Sequence, residues 1–282
     1  MAGSPKQLSA FVKRLAALPQ PGGVSLATHS GIARLTLHNH ARRNALTGPM
    51  MAQLQTHVDA LEQAEPSTWA VVLTGDGGHF CAGADLTLAL EHVTTPEDGR
   101  LMSALMSSTL GRLRSLPLIS VAAIDGHAVG GGAELATATD WRVFADGATM
   151  QFVQTRMAAS TGWGGAARLS EIVGNRAAAL RLLLLQPRLD AHAAAATGLA
   201  DLVAPAGERA ALAAERLLLS ARECAAAPEA MRAVKAAVAG ATPIDDAAVE
   251  VETAAFGTVW GAAANRQALA AAADTIASKS RV

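Results

Sequence analysis

The chain contains no tyrosine, and aromatic residues make up only 3% of its 282 residues. Its two cysteines, Cys81 and Cys224, are too few for a disulfide framework, and we expect a reducing, cytoplasmic setting. Lysine and arginine total 23 against 24 acidic residues, and no basic run alternates with aromatics, so nucleic acid is not an expected partner. No apolar run approaches the roughly 18 residues of a spanning helix, so no membrane association is expected either.

Several well-known site signatures are also missing. The glycines do not match the G-x-G-x-x-G dinucleotide fingerprint, no Gly-Lys-Ser/Thr ends a phosphate loop, and no G-x-S-x-G elbow occurs. The spacing of the histidines does not bring metal ligands together, so we expect no metal. The histidines considered for such a site are His29, His38, His40 and His57, four of the eight in the chain.

What is present is a core-forming composition, 51% hydrophobic and 17% charged, with a loose strand–strand–helix rhythm. The strands are predicted at 24–28, 32–38, 69–73, 118–124, 141–144 and 149–153, and the first helices at 49–65, from 95, and from about 133. From Gly164 onward the pattern is mainly helical and rich in alanine. The sequence therefore predicts an α/β fold, with an N-terminal helix and linker at 1–23, a core at 24–205 and a helical, oligomerising region at 206–282.

The N-terminal segment is basic and amphipathic, with no acidic residue before Asp59. A docking helix and an organelle transit peptide share this pattern. Pro19 and Pro21, followed by two glycines, favour a short docking helix that ends before them. The transit peptide remains the alternative.

The strongest local feature is the glycine-rich segment 125–135, termed here the second glycine turn, which joins a buried strand to a helix. Glycines let the backbone approach a ligand, and amides at a helix N-terminus attract an anion. Glu134 follows within the first helical turn. The alternative is a tight helix–strand crossing in which Glu134 is merely an exposed acid.

The segment 79–86, termed the first glycine turn, follows the other buried strand and is equally rich in small residues. Two backbone-exposing turns after two buried strands suggest a paired oxyanion hole. The alternative is an ordinary turn whose Asp85 caps the next helix. Cys81, within this turn, could be a nucleophile, although a buried core thiol is the more ordinary role.

Four motifs stand out along the chain: Arg43-Asn44-Ala45-Leu46, Phe80 with Ala82-Gly83-Ala84-Asp85, Gly130-Gly131-Gly132-Ala133-Glu134-Leu135 and Gly162-Trp163-Gly164-Gly165 with Arg168-Leu169. This set resembles the crotonase (enoyl-CoA hydratase/isomerase) superfamily. Four further motifs are Thr95-Pro96-Glu97-Asp98-Gly99, Leu116-Pro117-Leu118-Ile119-Ser120-Val121-Ala122, Phe152-Val153 and Gly257-Thr258-Val259-Trp260-Gly261. The second set resembles one branch of that superfamily, the ethylmalonyl-CoA decarboxylases.

The resemblance implies a spiral of ββα repeats with a helical C-terminal region that forms a homotrimer or a dimer of trimers. It implies an acyl-CoA substrate and no cofactor beyond the coenzyme A that carries the acyl group. It assigns the oxyanion donors to the amides of Ala84 and Gly131 and the acid/base role to Glu134. Further residues that it places along the substrate path are Ala82, Asp85, Leu86, Gly130, Gln154, Trp163 and Trp260. For the two tryptophans, plain core packing is the alternative.

One position departs from the hydratase pattern. Counting back from Gly162-Trp163-Gly164-Gly165, the second carboxylate of a hydratase is Gln154 here. An amide cannot act as a general acid or base near neutral pH, which demotes ordinary hydration. The sequence thus favours decarboxylation of a 2-alkyl malonyl-CoA. The alternatives are an enoyl-CoA hydratase or isomerase that uses Glu134 alone, and a non-catalytic CoA-binding protein.

Overall fold

The protein was analysed as a computed structural model that describes residues 4–225, 227–241 and 246–279. The ends of the predicted N-terminal and C-terminal regions, together with 226 and 242–245, lie outside the described residues. The strands are β1 (Gly23–His29), β2 (Ile32–His38), β3 (Ala70–Gly75), β4 (Ile119–Ile124), β5 (His127–Val129), β6 (Trp141–Phe144), β7 (Thr149–Gln151), β8 (Leu189–Asp190) and β9 (Leu202–Val203).

The helices surround these strands and dominate the second half of the chain. They are α1 (Pro5–Ala16), α2 (Gly48–Glu62), α3 (Pro96–Ser115), α4 (Gly131–Ala136), α5 (Gly165–Ile172), α6 (Arg176–Leu185), α7 (Ala191–Ala196), α8 (Ala210–Cys224), α9 (Pro228–Ala241), α10 (Asp246–Val259) and α11 (Ala263–Lys279). Over the part of the chain described, none of them is long and apolar enough to cross a membrane.

Two sheets form the centre of the fold. The larger has the order β1-β2-β3-β4-β6-β9, with β1 antiparallel to β2 and every later pair parallel. The smaller has the order β5-β7-β8. Because β4 and β5 are separated by a two-residue step, the chain leaves the large sheet and enters the small one at the second glycine turn. The α/β prediction is therefore confirmed.

The large sheet is buried on both faces, which explains the unbroken apolar runs of its central strands. Alternate residues of β3 illustrate this. Val71 and Leu73 point into the main core with α2 and α3, whereas Ala70 and Val72 face a second core that includes α8. The sheet therefore has a helical layer on each side, and the carboxyl ends of its parallel strands open onto the two glycine turns.

The N-terminal helix is part of the packed fold. The Ser4 hydroxyl accepts a hydrogen bond from the Gln7 amide, while the Gln7 side chain accepts one from the Ser4 amide, and Pro5 occupies the first helical position. Phe11 and Leu15 are buried, and α1 packs against α2 and α3. This is the behaviour of a docking helix.

The sequence located most elements but missed some short ones. The helix after the second glycine turn begins at Gly131, not near Ala133, and the strand from Thr149 ends at Gln151. β5, β8, β9 and a π-helical turn at Leu88–His92 were not predicted. Strands of two or three residues are set by their partners across the sheet, so they carry too little periodicity to be read from sequence.

Candidate active site

The first glycine turn continues as a strand-like segment beside the 43–46 segment. The Leu46 amide donates to the Gly83 carbonyl at 2.7 Å, and the Asp85 amide donates to the Leu46 carbonyl at 2.9 Å. This is a parallel bridge between Leu46 and Ala84. In such a bridge the polar groups of the two flanking residues face the partner strand, so the N–H of Ala84 points the other way.

The second glycine turn lies on that other side. The Cys81 amide donates to the His127 carbonyl at 3.1 Å, and the Val129 amide donates to the Cys81 carbonyl at 2.9 Å. The two turns approach so closely that a Cβ on Gly83 would lie 3.0 Å from the amide nitrogen of Gly131. Gly83 also has a φ of +92°, which favours glycine. The structure thus brings the two turns together.

Tight packing fixes the start of α4. Gly130 precedes the helix with a φ of +56° and donates its amide to the Gln151 carbonyl at 2.9 Å. A side chain at Gly132 would collide with the carbonyl of Cys81. The tight helix–strand crossing considered from sequence is therefore present, and it coexists with an exposed backbone amide at Gly131.

The amides of Ala84 and Gly131 have no acceptor within the described protein residues. Gly131 is the first residue of α4, where an N–H has no partner inside the helix. Two unpaired amides on adjoining segments are the donors that a paired oxyanion hole would need.

Glu134 is not an exposed acid: it is 2% exposed, and its carboxylate is enclosed by donors. Oε1 accepts from the Gln154 side-chain amide at 2.8 Å and from the Gly162 amide at 3.5 Å. Oε2 accepts from the Trp163 amide at 2.8 Å and from the Gly165 amide at 3.1 Å. The carboxylate therefore lies at the N-terminus of α5, whose dipole attracts a negative charge.

Burial nevertheless outweighs these donors. Desolvation, followed by the negative charge of Glu252, raises the pKa of Glu134 from an ordinary 4.5 to about 7. The hydrogen bonds from Trp163 and Gln154 and the positive charge of Arg168 act in the opposite direction. Glu134 thus exchanges its proton near neutral pH, as a general acid or base should.

The Gln154 side chain lies beside Glu134, where the sequence placed it. Its amide nitrogen donates to Glu134, while its Oε1 is buried without a partner among the described residues. Since the amide has no proton to exchange, the site contains one titratable carboxyl at this point where a hydratase would have two.

Arg168 links the segments that form the site. It is fully buried, and its guanidinium donates to the Thr137 hydroxyl at 3.0 Å and to the backbone carbonyls of Glu134 and Trp163 at 3.1 and 2.7 Å. These bonds tie α4 to the segment that precedes α5. Burial lowers the pKa of Arg168 to about 10, so it stays charged at neutral pH.

The two tryptophans predicted to line the substrate path occupy different places. The Trp163 indole packs on Gly131, where a Cβ would come within 2.5 Å of the ring. Trp260 packs against Gly99 of α3, and its indole N–H donates to the Val93 carbonyl at 2.7 Å. Trp163 therefore adjoins the catalytic candidates, whereas Trp260 fastens the end of α10 to α3.

Asp85 serves as a helix cap. Its Oδ1 accepts from the amides of Thr87 and Leu88 at 2.9 and 3.2 Å, and its Oδ2 pairs with Arg42 at 2.7 Å. The capping interpretation of this residue is correct for its side chain.

The remaining predicted contacts of the first glycine turn are half-buried. Ala82 donates its amide to the Arg43 carbonyl at 3.0 Å. Leu86 packs partly against the main core. Both lie within two residues of Ala84, on the segment that supplies one of the free amides.

Cys81 behaves as a core thiol. It is fully buried, and desolvation raises its pKa to about 12, so the thiolate is not formed at neutral pH. Within the described part of the chain, no group of three histidine, cysteine or acidic side chains is placed to hold a metal ion.

Glu252 was not predicted as a site residue, and Arg168 was identified only as part of a sequence motif. Glu252 is 7% exposed on α10, and its Oε2 accepts from the Ala166 amide at 3.1 Å. It is more than 80 residues from the motifs that it joins, so no local pattern could have found it. The hydrophobic face of α10, with Phe256 and Trp260, was the available signal that this helix is packed inward.

Comparison with known proteins agrees with this geometry. The family model described as enoyl-CoA hydratase/isomerase matches residues 27–271. Ethylmalonyl-CoA decarboxylase of Xenopus laevis is 40% identical over 93% of this chain and 87% of its own, and that of Danio rerio is 42% identical over 89% and 84%. A crystal structure of an enoyl-CoA hydratase/isomerase from Xanthobacter autotrophicus Py2 superposes with a TM-score of 0.77 at 26% identity, covering 90% of this chain and 94% of its own. The chain belongs to the enoyl-CoA hydratase/isomerase family and has the crotonase fold that the resemblance of its motifs implied.

Proposed function

We propose that this protein decarboxylates a 2-alkyl malonyl-CoA, such as ethylmalonyl- or methylmalonyl-CoA, through a thioester enolate. The observation that carries the proposal is the pair of Glu134 and Gln154, one buried acid with a pKa near 7 beside one amide that cannot exchange a proton. Decarboxylation needs a single proton donor and no group that activates water. The two vertebrate relatives are named ethylmalonyl-CoA decarboxylases, which supports the same reaction for this chain.

In the first step, the bond between the α-carbon and the substrate carboxylate breaks. Its electron pair moves into the thioester, which becomes an enolate, and CO2 leaves. The amides of Ala84 and Gly131 stabilise the negative charge on the thioester oxygen, where one donor of this kind contributes about 3–4 kcal/mol. They act on the transition state more than on the substrate because the charge reaches this oxygen only as the bond breaks.

In the second step, Glu134 delivers its proton to the α-carbon and regains one from solvent. A bound substrate carboxylate would raise the pKa of Glu134 further, because a second negative charge disfavours ionisation. Gln154 and the Trp163 amide hold the acid in place. An ionised glutamate at position 154 would instead repel the substrate carboxylate.

The remaining assignments complete the proposal. The acyl-CoA passes along the backbone of Ala82, Asp85, Leu86 and Gly130, with Trp163 as a wall and with no metal or further cofactor. Trp260, which packs on α3, lies outside this path. The core of residues 24–205 performs the reaction, and residues 206–282 assemble a homotrimer or a dimer of trimers in the cytoplasm. Light scattering that gives a monomer at micromolar concentration would contradict the assembly.

The proposal is tested by incubating the purified protein with malonyl-, methylmalonyl- and ethylmalonyl-CoA and measuring CO2 release, alongside hydration of crotonyl-CoA. We expect CO2 from a 2-alkyl malonyl-CoA and little hydration. Ordinary rates of hydration without CO2 would instead support a hydratase or isomerase that uses Glu134 alone, the kind of activity for which the family is named. No turnover combined with CoA binding would support a non-catalytic protein.

Gln154→Glu is the sharper test. It should lower the rate of decarboxylation, because the new carboxylate repels the substrate carboxylate. It should raise any hydratase activity, because the same carboxylate supplies a second acid/base group that can activate water. Losing or gaining one such acid/base group changes the rate by about 10² or more. Gln151→Glu is a matched control, because Gln151 is a nearby glutamine whose side chain donates to the Gln186 carbonyl and does not contact Glu134.

A further inference from the structure

The C-terminal helix α10 brings a second buried carboxylate to the site. Glu252 is 7% exposed, and α10 packs against α3 and α5. Its Oε2 accepts the Ala166 amide at 3.1 Å, and its Oε1 is buried without a partner among the described residues. A buried, half-satisfied carboxylate is costly to the fold, so its presence calls for an explanation.

The two carboxylates accept hydrogen bonds from consecutive backbone amides at the start of α5. Glu134 accepts from Gly165 at 3.1 Å, and Glu252 accepts from Ala166 at 3.1 Å. One helix N-terminus thus faces two acids, although its dipole is equivalent to only about half a positive charge. Two neighbouring anions in a desolvated place favour binding a proton on one of them.

The other charged groups do not remove this repulsion. From α5, Arg168 attracts both acids, but its guanidinium bonds go to the Thr137 hydroxyl and to two backbone carbonyls. Arg114 of α3 and Glu171 of α5 act on Arg168 with opposite signs, and they pair with each other. In the turn at Gln154–Met157, the neutral Gln154 contacts Glu134, while the turn's charged residue, Arg156, is exposed.

We propose that Glu252 is a positioning residue for the proposed reaction: its carboxylate, held on the amide next to the one that holds Glu134, makes the protonated, proton-donating form of Glu134 the favoured one. Glu252 does not touch the substrate. It acts through α5 and Glu134, so proper docking of α10 becomes a condition for an active site in the correct protonation state. The inference rests on the proposed function for its role in turnover but not for its effect on Glu134.

The test compares Glu252→Gln, which keeps an acceptor for the Ala166 amide and removes the charge, with Glu252→Asp, which keeps the charge. Thr253→Val is the control on the same helix, since it removes the hydrogen bond from Ser103 without changing a charge. Infrared titration of the ligand-free protein follows the protonated carboxyl band of Glu134, identified by its loss in Glu134→Gln. This readout does not depend on any substrate.

We expect the titration midpoint of Glu134, about 7 in the wild type, to fall by about one pH unit in Glu252→Gln. In Glu252→Asp the midpoint should stay close to the wild-type value because the charge is kept, and in Thr253→Val it should be unchanged. The falling limb of kcat against pH should move to lower pH by the same amount, which gives about a tenfold loss at pH 8 with KM nearly unchanged.

An unchanged midpoint in Glu252→Gln would overturn the inference, as would equal midpoints in Glu252→Gln and Glu252→Asp. If Glu252→Gln fails to fold, Glu252→Met supplies an uncharged side chain of similar length, and an unchanged midpoint in that variant would equally overturn the inference. A wild type that releases no CO2 while its midpoint shifts in Glu252→Gln would refute the proposed function and leave the action of Glu252 on Glu134 standing.

Discussion

The two glycine turns look alike in sequence, but the acidic side chains that they carry have different roles. Each follows a buried strand and supplies one free amide. The first carries the buried carboxylate of Asp85; the second carries Asp125 at its start, which pairs with Arg209, and Glu134 three residues after its free amide. Asp85 caps the following helix and pairs with Arg42 at the surface. Glu134 points into a desolvated space, and another carboxylate stands beside it.

The difference shows that a local motif sets where an acid is placed but not its chemistry. A carboxylate that caps a helix and pairs with a cation holds two segments of the chain together. A carboxylate in a desolvated place near a like charge gains and loses a proton near neutral pH.

Glu134→Gln should fold normally and reduce turnover by about 10²–10⁴-fold, because a positioned acid/base group contributes that much. The substitution keeps the shape of the side chain and removes only its exchangeable proton. CO2 release from ethylmalonyl-CoA gives the rate, and circular dichroism checks the fold. Full activity in this variant would remove Glu134 from the mechanism and leave both turns merely structural.

Gly131→Ala should lower kcat by about 10²–10³-fold, the loss expected for one oxyanion donor. The new Cβ would meet the Trp163 ring at 2.5 Å, so the ring or α4 must shift and the free amide moves with it. Gly111→Ala is the control, since a Cβ on that helical glycine meets nothing within 4 Å. Equal rates for the two variants would contradict a role for the Gly131 amide.

The stability of the protein should depend on pH through Glu134. Its pKa is raised on folding, so its contribution is fully present below about pH 4.5 and is lost as pH rises through about 7. The whole change is about 3 kcal/mol. Urea unfolding of the wild type and Glu134→Gln at acidic and mildly basic pH should show the wild type losing that much relative to the variant. A constant difference between them would mean that Glu134 is not titrating in this range.

Asp85→Asn should cost about 1–2 kcal/mol of stability and leave kcat within about twofold of the wild type. The asparagine oxygen can still cap Thr87 and Leu88, but the Arg42 pair is lost. Thermal unfolding and CO2 release measure the two effects separately. If kcat instead falls as far as it does in Glu134→Gln, Asp85 takes part in turnover as Glu134 does.

Much of this could be predicted from sequence because the signals are local. The apolar strand runs, the glycine turns and the start of α2 at Gly48-Pro49 all depend on residues close together in the chain. The position of Gln154 relative to the Gly162-Trp163-Gly164-Gly165 motif also followed by counting. Its hydrogen bond to Glu134 places the two side chains together as the counting implied.

Residues near one another in the chain were enough to predict an α/β core and two glycine turns, and the family resemblance added an acid beside an amide. The folded protein was needed to show that Asp85 pairs with Arg42, that Trp260 fastens α10 to α3, and that Glu252 shares the N-terminus of α5 with Glu134. Glycine turns and apolar runs are fixed by backbone sterics and periodicity over a few residues. Burial, like-charge repulsion and the partners of a carboxylate depend instead on segments that are distant in sequence, such as Glu252 and Ala166, which are 86 residues apart and meet only when the chain has folded.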